Sequence, residues 1–344
     1  MNAKECCCRE GLLRFFPATI RKVLEPLPAW EEIEEVRLRA GRPLLLRLTR
    51  GDAFVSPEGG LVNRPEKSYL VTLEEISRTV NAATNASVYA FEEEMRHGYL
   101  TLPGGHRLGL SGRTVIERGA VRRFRYIAGL NVRVAREVRG AASTILPYVL
   151  SGTPPRVCHT LIVSPPRSGK TTLLRDLVRQ LSNGKAELNF PGATVGLVDE
   201  RSEVAACFQG VPQLDVGLRT DVLDACSKAE GIRLLVRAFG PDVVATDEIG
   251  RAEDARAIED ALNAGVKVVA TAHARTLEEL QKRPFFRYLF GLEVVERFVL
   301  LARRTRPGEV AAVLDGAQKP AVPVAGCQSS VVGRVSRATS CLDR

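Results

Sequence analysis

Three groups of residues have types and spacings suited to chemistry at a phosphate. The first runs Ser164-Pro165-Pro166-Arg167-Ser168-Gly169-Lys170-Thr171 and continues into Thr172. The apolar run Leu161-Ile162-Val163 precedes it, and the helix formers Leu173-Leu174-Arg175 follow. A strand, a glycine turn and a helix start in that order make a phosphate-binding loop. Gly169 lets backbone N–H groups close round phosphate oxygens, and the helix N-terminus adds partial positive charge. Lys170 then sets a point charge on the β- and γ-phosphates, and the Thr171 hydroxyl ligates Mg²⁺. The expected ligands are ATP and Mg²⁺. Ser164 stands where this pattern has glycine, a position whose torsions glycine tolerates better than serine.

The second group is Pro241-Asp242-Val243-Val244-Ala245-Thr246-Asp247-Glu248, an apolar strand ending in two acids. Asp247 lies 77 residues past Lys170, a spacing that suits a neighbouring strand. At the carboxyl edge of a parallel sheet both acids face the nucleotide crevice. Asp247 is placed to hold the Mg²⁺ shell, and Glu248 to orient or deprotonate the attacking water. The third group is Val198-Asp199-Glu200-Arg201. Its strand is expected beside the phosphate-loop strand, which makes Glu200 a second candidate base. The simpler structural reading is a strand-end carboxylate paired with Arg201. Thr271-Ala272-His273 closes a further strand, where Thr271 and His273 could sense the γ-phosphate or His273 could be a satisfied core residue.

Positioning these groups takes an α/β scaffold. Strands are expected near Thr160–Val163, Thr194–Val198, Val243–Thr246 and Val266–Thr271, with two more near Val294–Leu300 and Glu309–Val313. Helices are expected over Thr171–Leu181, Val222–Ala238, Ala252–Asn263 and Leu277–Arg283. Strands alternating with helices mark a parallel sheet. The turn-rich Ser151–Pro155 marks a boundary. Ahead of it, residues 1–150 read as a smaller α+β domain. Leu27–Arg39 looks helical or mixed, while Pro43–Leu48, Phe54–Val62 and Asn131–Ala135 look extended. Leu73–Thr84 is a helix opened by Thr72 with Glu74 and Glu75 in its first turn. Tyr99–Leu110 reads as a hairpin about Gly104-Gly105. The fold class is therefore a P-loop (RecA/AAA+-like) parallel-sheet domain over 151–315, preceded by 1–150. Residues 316–344 show little periodicity and read as a loose tail.

The 344 residues are 45% hydrophobic and 26% charged, an ordinary soluble composition, and no apolar run approaches the roughly 20 residues that span a bilayer. No export signal opens the chain, so a cytoplasmic protein is expected. Eight cysteines include no C-x-x-C pair, and Cys6-Cys7-Cys8 is better read as part of a frayed terminus than as a metal site. The net charge of +9 is uneven: +6 over residues 1–150, zero over 151–315 and +3 beyond. Residues 101–150 hold nine arginines, two acids and no lysine. Such a segment suits an acidic partner, either nucleic acid, anionic lipid or nucleotide phosphate, or else the acids of a neighbouring subunit.

The succession SPPRSGKTTLLRD, GLVDERSEV, GLRTDVLDACSKAEG, PDVVATDEIGR and VVATAHA resembles the stage III sporulation protein AA family. So do EEVRLRAGRP, EEEMRHGYLTLPGGHRLGLSGR and NVRVAR, and the likeness spans about Pro28 to Leu314. That family is similar to the hexameric type II and type IV secretion ATPases. The resemblance implies an ATPase subunit on the mother-cell side of a channel into the forespore, forming a homo-hexamer beside membrane-bound sporulation channel proteins. It implies that Asp199-Glu200 stands at the acidic box of the secretion ATPases and His273 at their histidine box. Their second acidic strand usually ends in Gly-Glu, whereas this chain has Asp247-Glu248, so either Glu200 or Glu248 can be the base. Their N-terminal domains reach arginines into the adjoining subunit's nucleotide site, and Arg107, Arg113 and Arg133 are the candidates for that role here. Other readings stay open: a nucleic-acid-dependent ATPase, and a nucleotide-gated scaffold with negligible turnover. Against the former, the arginine segment interleaves only Phe124 and Tyr126 as stacking platforms.

Overall fold

A computed structural model describes residues 9–28, 30–87, 91–96, 98–166, 168–302 and 308–322. Arg167, Cys6-Cys7-Cys8 and residues 323–344 lie outside them. The chain divides into two compact units, one running to Glu137 and including Ala205–Leu214, the other built from Val138–Val204 and the chain from Asp215 onward.

Among the described residues the first unit is built on nine strands: β1 (Ile33–Arg39), β2 (Arg42–Pro43), β3 (Leu45–Leu48), β4 (Gly51–Val55), β5 (Leu61–Val62), β6 (Leu70–Val71), β7 (Tyr99–Thr101), β8 (Arg107–Glu117) and β9 (Ala120–Arg133). Seven form one sheet in the order β5-β4-β3-β1-β9-β8-β7, and β2 pairs with β6. Thr72 opens the helix Leu73–Ala83 with a capping box: its hydroxyl accepts from the Glu75 N–H, and the Glu75 carboxylate accepts from the Thr72 N–H. Ile76, Val80 and Ala83 of that helix join Val36, Leu38, Leu46 and Leu100 in the core.

Two sequence expectations change here. Leu27–Arg39 is a short 3₁₀ turn, Trp30–Glu32, followed by β1. A bulge between Ile33 and Glu35 sets Ile33 and Val36 both inward at a three-residue spacing that imitates a helix. The segment 205–214, from the middle of the region expected to be the P-loop domain, belongs to this unit. The Gly104 N–H donates to Gln213 Oε1 at 2.9 Å, and Phe208 packs on the core.

The second unit opens with a small hairpin, β10 (Leu150–Ser151) and β11 (Arg156–Val157). Its main strands are β12 (Thr160–Ser164), β13 (Val195–Asp199), β14 (Thr220–Asp224), β15 (Val243–Thr246), β16 (Lys267–His273), β17 (Arg297–Leu301), β18 (Val310–Asp315) and β19 (Pro320–Val322). They form one sheet in the order β14-β13-β15-β16-β12-β17-β18-β19. The first six are parallel, and β18 and β19 add antiparallel. Every residue of β12, β13 and β15 is buried, which is why these strands read as unbroken apolar runs rather than alternating ones.

The stretch expected as one helix over Val222–Ala238 is instead β14 followed by a helix over Lys228–Ala238. Pairing with β13 overrides its helical pattern. β19 is regular structure within the segment expected to be a loose tail. No helix among the described residues is long and apolar enough to cross a membrane.

Candidate functional site

β12 delivers the phosphate-loop segment to the carboxyl edge of the sheet. Ser164, fully buried, is the last residue of the strand, with its hydroxyl donating to the Pro165 carbonyl at 3.0 Å. As a strand residue it needs no glycine-like torsion, so the concern raised by its sequence position does not arise. Gly169 carries the turn instead. Its φ of +82° is left-handed, and it caps the helix Lys170–Asn183. The first N–H groups of that helix lack helical partners and face the loop. Ser168 Oγ is buried with no hydrogen-bond partner among the described residues. A left-handed glycine, an orphaned hydroxyl, a helix N-terminus and a buried lysine fit a polyphosphate group.

Opposite the loop stand the acids after β15. Lys170 Nζ donates to Glu248 Oε1 at 2.6 Å and to Asp247 Oδ1 at 3.3 Å. Thr171 Oγ1 donates to Asp247 Oδ2 at 2.6 Å, an oxygen pair that also suits Mg²⁺ coordination. Thr271 joins the two acids, since its hydroxyl donates to Asp247 and accepts the Glu248 N–H at 2.8 Å. His273 Nε2 lies 2.7 Å from Glu248 Oε1. Burial disfavours the Glu248 carboxylate, but the hydrogen bond and charge of Lys170, aided by His273, outweigh it and hold its pKa at about 2. Glu248 also has a φ of +55°, a left-handed backbone that costs a non-glycine residue about 1 kcal/mol or more. Strain of this kind persists where surrounding contacts enforce it, and here Lys170, His273 and Thr271 do so.

The sheet order corrects two positional expectations. β15 is not the neighbour of β12, because β16 lies between them. Asp247 reaches Thr171 across the end of β16, and that is why Thr271 and His273 fall inside the cluster. β13 is further away still, with β15 and β16 between it and β12. Glu200 therefore lies apart from Lys170. It pairs with the buried Lys228 and with Arg251, whose Nη1 is 3.6 Å away. Its expected partner Arg201 turns instead to Glu248 Oε2 at 3.1 Å. Asp199 is buried and accepts the N–H groups of Glu203 and Val204, both at 2.9 Å. Sequence reasoning named Arg201 but set it on Glu200 rather than Glu248, and it missed Lys228 and Arg251, which come to Glu200 from elements distant in sequence.

Arg107, Arg113 and Arg133 stand on β8 and β9 of the first unit. The Arg107 guanidinium lies over the Tyr99 ring, 3.4 Å from its centroid. Arg133 Nε is 3.6 Å from Glu35 Oε1, and Arg113 is exposed.

The model for the family described as "Sporulation stage III, protein AA" matches residues 7–319. Stage III sporulation protein AA of Bacillus subtilis (strain 168) is 42% identical over 301 residues, covering 87% of this chain and 92% of that one. The protein SEEDLING PLASTID DEVELOPMENT 1 of Arabidopsis thaliana is 27% identical over 285 residues, 82% of this chain and 36% of its own. Among solved structures, the Legionella pneumophila ATPase DotB superposes with a TM-score of 0.54 at 15% identity, covering 83% of this chain and 76% of that one. At that identity the likeness bears on the fold, which is the expected α/β P-loop architecture. On the match across most of its length, the chain belongs to the stage III sporulation protein AA family.

Proposed function

We propose that this protein is an ATPase subunit of spore formation that converts ATP and water to ADP and phosphate. The reading rests on one observation, the convergence of Lys170, Thr171, Asp247, Glu248, Thr271 and His273 at the carboxyl edge of a parallel sheet.

Residues Ser164–Thr172 form the phosphate cradle, with Lys170 as its point charge. Thr171 and Asp247 would hold Mg²⁺, which when bound would neutralise phosphate charge. Glu248 is the base that orients water. A carboxyl held at about 2 is a weak proton acceptor, and Lys170 is a principal cause of that low value. When Lys170 turns to phosphate, Glu248 loses that partner and becomes more basic. His273 and Arg201 keep its carboxylate aimed while this happens. Glu200 is the alternative base, but its pairing with Lys228 and Arg251 favours a structural role.

The subunit works as a homo-oligomer, with six copies as the expected ring. Arg107, Arg113 or Arg133 of one copy completes the site of the next. Turnover powers or gates a channel of membrane-bound sporulation proteins from the mother-cell side. Equilibrium titration with ATP tests the foundation of this reading. Lys170→Ala should abolish binding while circular dichroism stays unchanged, and retained affinity would remove Lys170 from the site.

A further inference from the structure

Beyond Gly112 and Ile127, β8 and β9 leave the sheet of the first unit. β1 pairs with β9 only from Gly129 to Arg133, and β7 pairs with β8 only from Arg107 to Gly109. The rest is a two-stranded ribbon roughly 17–20 Å long at about 3.3 Å per residue. Arg113, Arg118, Arg122, Arg123 and Arg125 lie on it, all exposed, against the single acid Glu117. Glu117 is taken up by Arg122 at 2.5 Å, while Arg113, Arg118 and Arg123 have no acidic partner among the described residues. Support from the rest of the unit is slight, chiefly Arg96 of the helix Glu92–Arg96, which donates to the Arg122 carbonyl at 3.1 Å.

The tip breaks the rules of its own turn. Arg118 and Gly119 form a two-residue loop with φ of +50° and +79°. Asparagine, aspartate or glycine adopts that first position most easily, and arginine does so only under strain. A cation is thus held at the extremity against local preference. Beside it Ile116 is 63% exposed, and further along Tyr126 is 58% exposed. Ile116 is thus apolar surface left to solvent, whereas Tyr126 lies against the Arg125 guanidinium, 5.4 Å from its ring centroid.

From this combination we propose that the ribbon is a membrane-contact element for anionic phospholipid headgroups, independent of the ATPase reading. Guanidinium groups pair bidentately with headgroup phosphates, while Ile116 beside the tip enters the interfacial layer below them. Nucleic acid is the less fitting polyanion. As platforms for unstacked bases residues 112–127 offer only Phe124 and Tyr126, and a DNA duplex, whose phosphates arginine also pairs with, is the comparison arm of the test.

The test is co-sedimentation of the full chain with vesicles of three parts phosphatidylcholine to one part phosphatidylglycerol, with phosphatidylcholine vesicles and a short DNA duplex for comparison. The protein should sediment with the anionic vesicles only, and less as salt rises. Arg118→Glu with Arg123→Glu should weaken binding at least about 30-fold, taking each arginine near an anionic surface at about fivefold. Ile116→Ser should weaken it several-fold. Arg118→Gly removes charge while relieving the backbone, so its expected several-fold loss cannot come from misfolding. Failure to sediment with the anionic vesicles overturns the proposal. So does binding that these variants leave unchanged, or retention by the duplex alone.

Discussion

Lys170, Asp247 and Glu248 each have partners that limit what they can do. The Lys170 ammonium is shared between Asp247 and Glu248, and Glu248 is shared in turn with His273 and Arg201. The Glu248 carboxyl lies below its ordinary 4.5, near 2, so the folded state binds its proton more weakly than the unfolded chain. Its contribution to stability is complete above about pH 4.5 and is lost as pH falls towards 2. Glu248→Gln should flatten the acid limb of urea midpoints across that window, and an unaltered limb would mean the charged cluster adds no net stability. The same substitution would remove the proposed proton acceptor and should leave ATP binding intact. Single-turnover hydrolysis should fall by about 10²–10⁴. Glu200→Gln should instead lower thermal stability more than the rate, because it weakens the pairing of the buried Lys228. Near-normal chemistry in Glu248→Gln would transfer the role of base to Glu200.

The elements that carry these residues fit closely because glycine stands where two of them meet. A Cβ on Gly231 of the helix Lys228–Ala238 would lie 2.6 Å from Val198 Cγ1 of β13. From the strand side, a Cβ on Gly196 would lie 2.9 Å from Leu235 Cδ1. Gly231→Ala should therefore destabilise the protein by about 1–3 kcal/mol, as overpacking of a dense core does. Val198 leads directly into Asp199 and Glu200, so turnover should fall with stability. A urea midpoint equal to that of the parent would show that helix and strand can part without cost. The strands and helices around the phosphate loop were readable from sequence because each is uniformly apolar or sharply amphipathic. β1 and β14 were not. A bulge gives β1 a helix-like spacing, and β14 is only half-buried, so its pairing with β13 rather than its residue pattern makes it a strand.

Across the molecule, the proposed arginines belong to a unit that carries none of the phosphate-loop residues, and mixing copies tests whether they act in trans. Lys170→Ala and a combined Arg107→Ala, Arg113→Ala, Arg133→Ala variant should each be inactive alone. Mixed, they should recover part of the turnover, because some interfaces then join an intact loop to intact arginines. Mixed oligomers that form, by mass measurement, yet stay inactive would rule out action in trans. The segment 205–214 binds the two units of one chain covalently at both its ends. It leaves the second unit just after Val204, whose N–H is held by Asp199, and returns at Asp215, which Arg139 pairs at 2.8 Å.

The phosphate loop, the acids after an apolar strand and the polar pair at Thr271 and His273 were legible in the chain because each is a contiguous motif whose strand and helix neighbours are themselves local. What surrounds each acid was decided only by the tertiary structure. A parallel sheet pairs strands that are distant in sequence, and nothing in the spacing of Lys170, Glu200 and Glu248 says that β16 inserts beside β12 while β13 sits beyond β15. That order brings Glu248 to Lys170 and Arg201, and leaves Glu200 to Lys228 and Arg251.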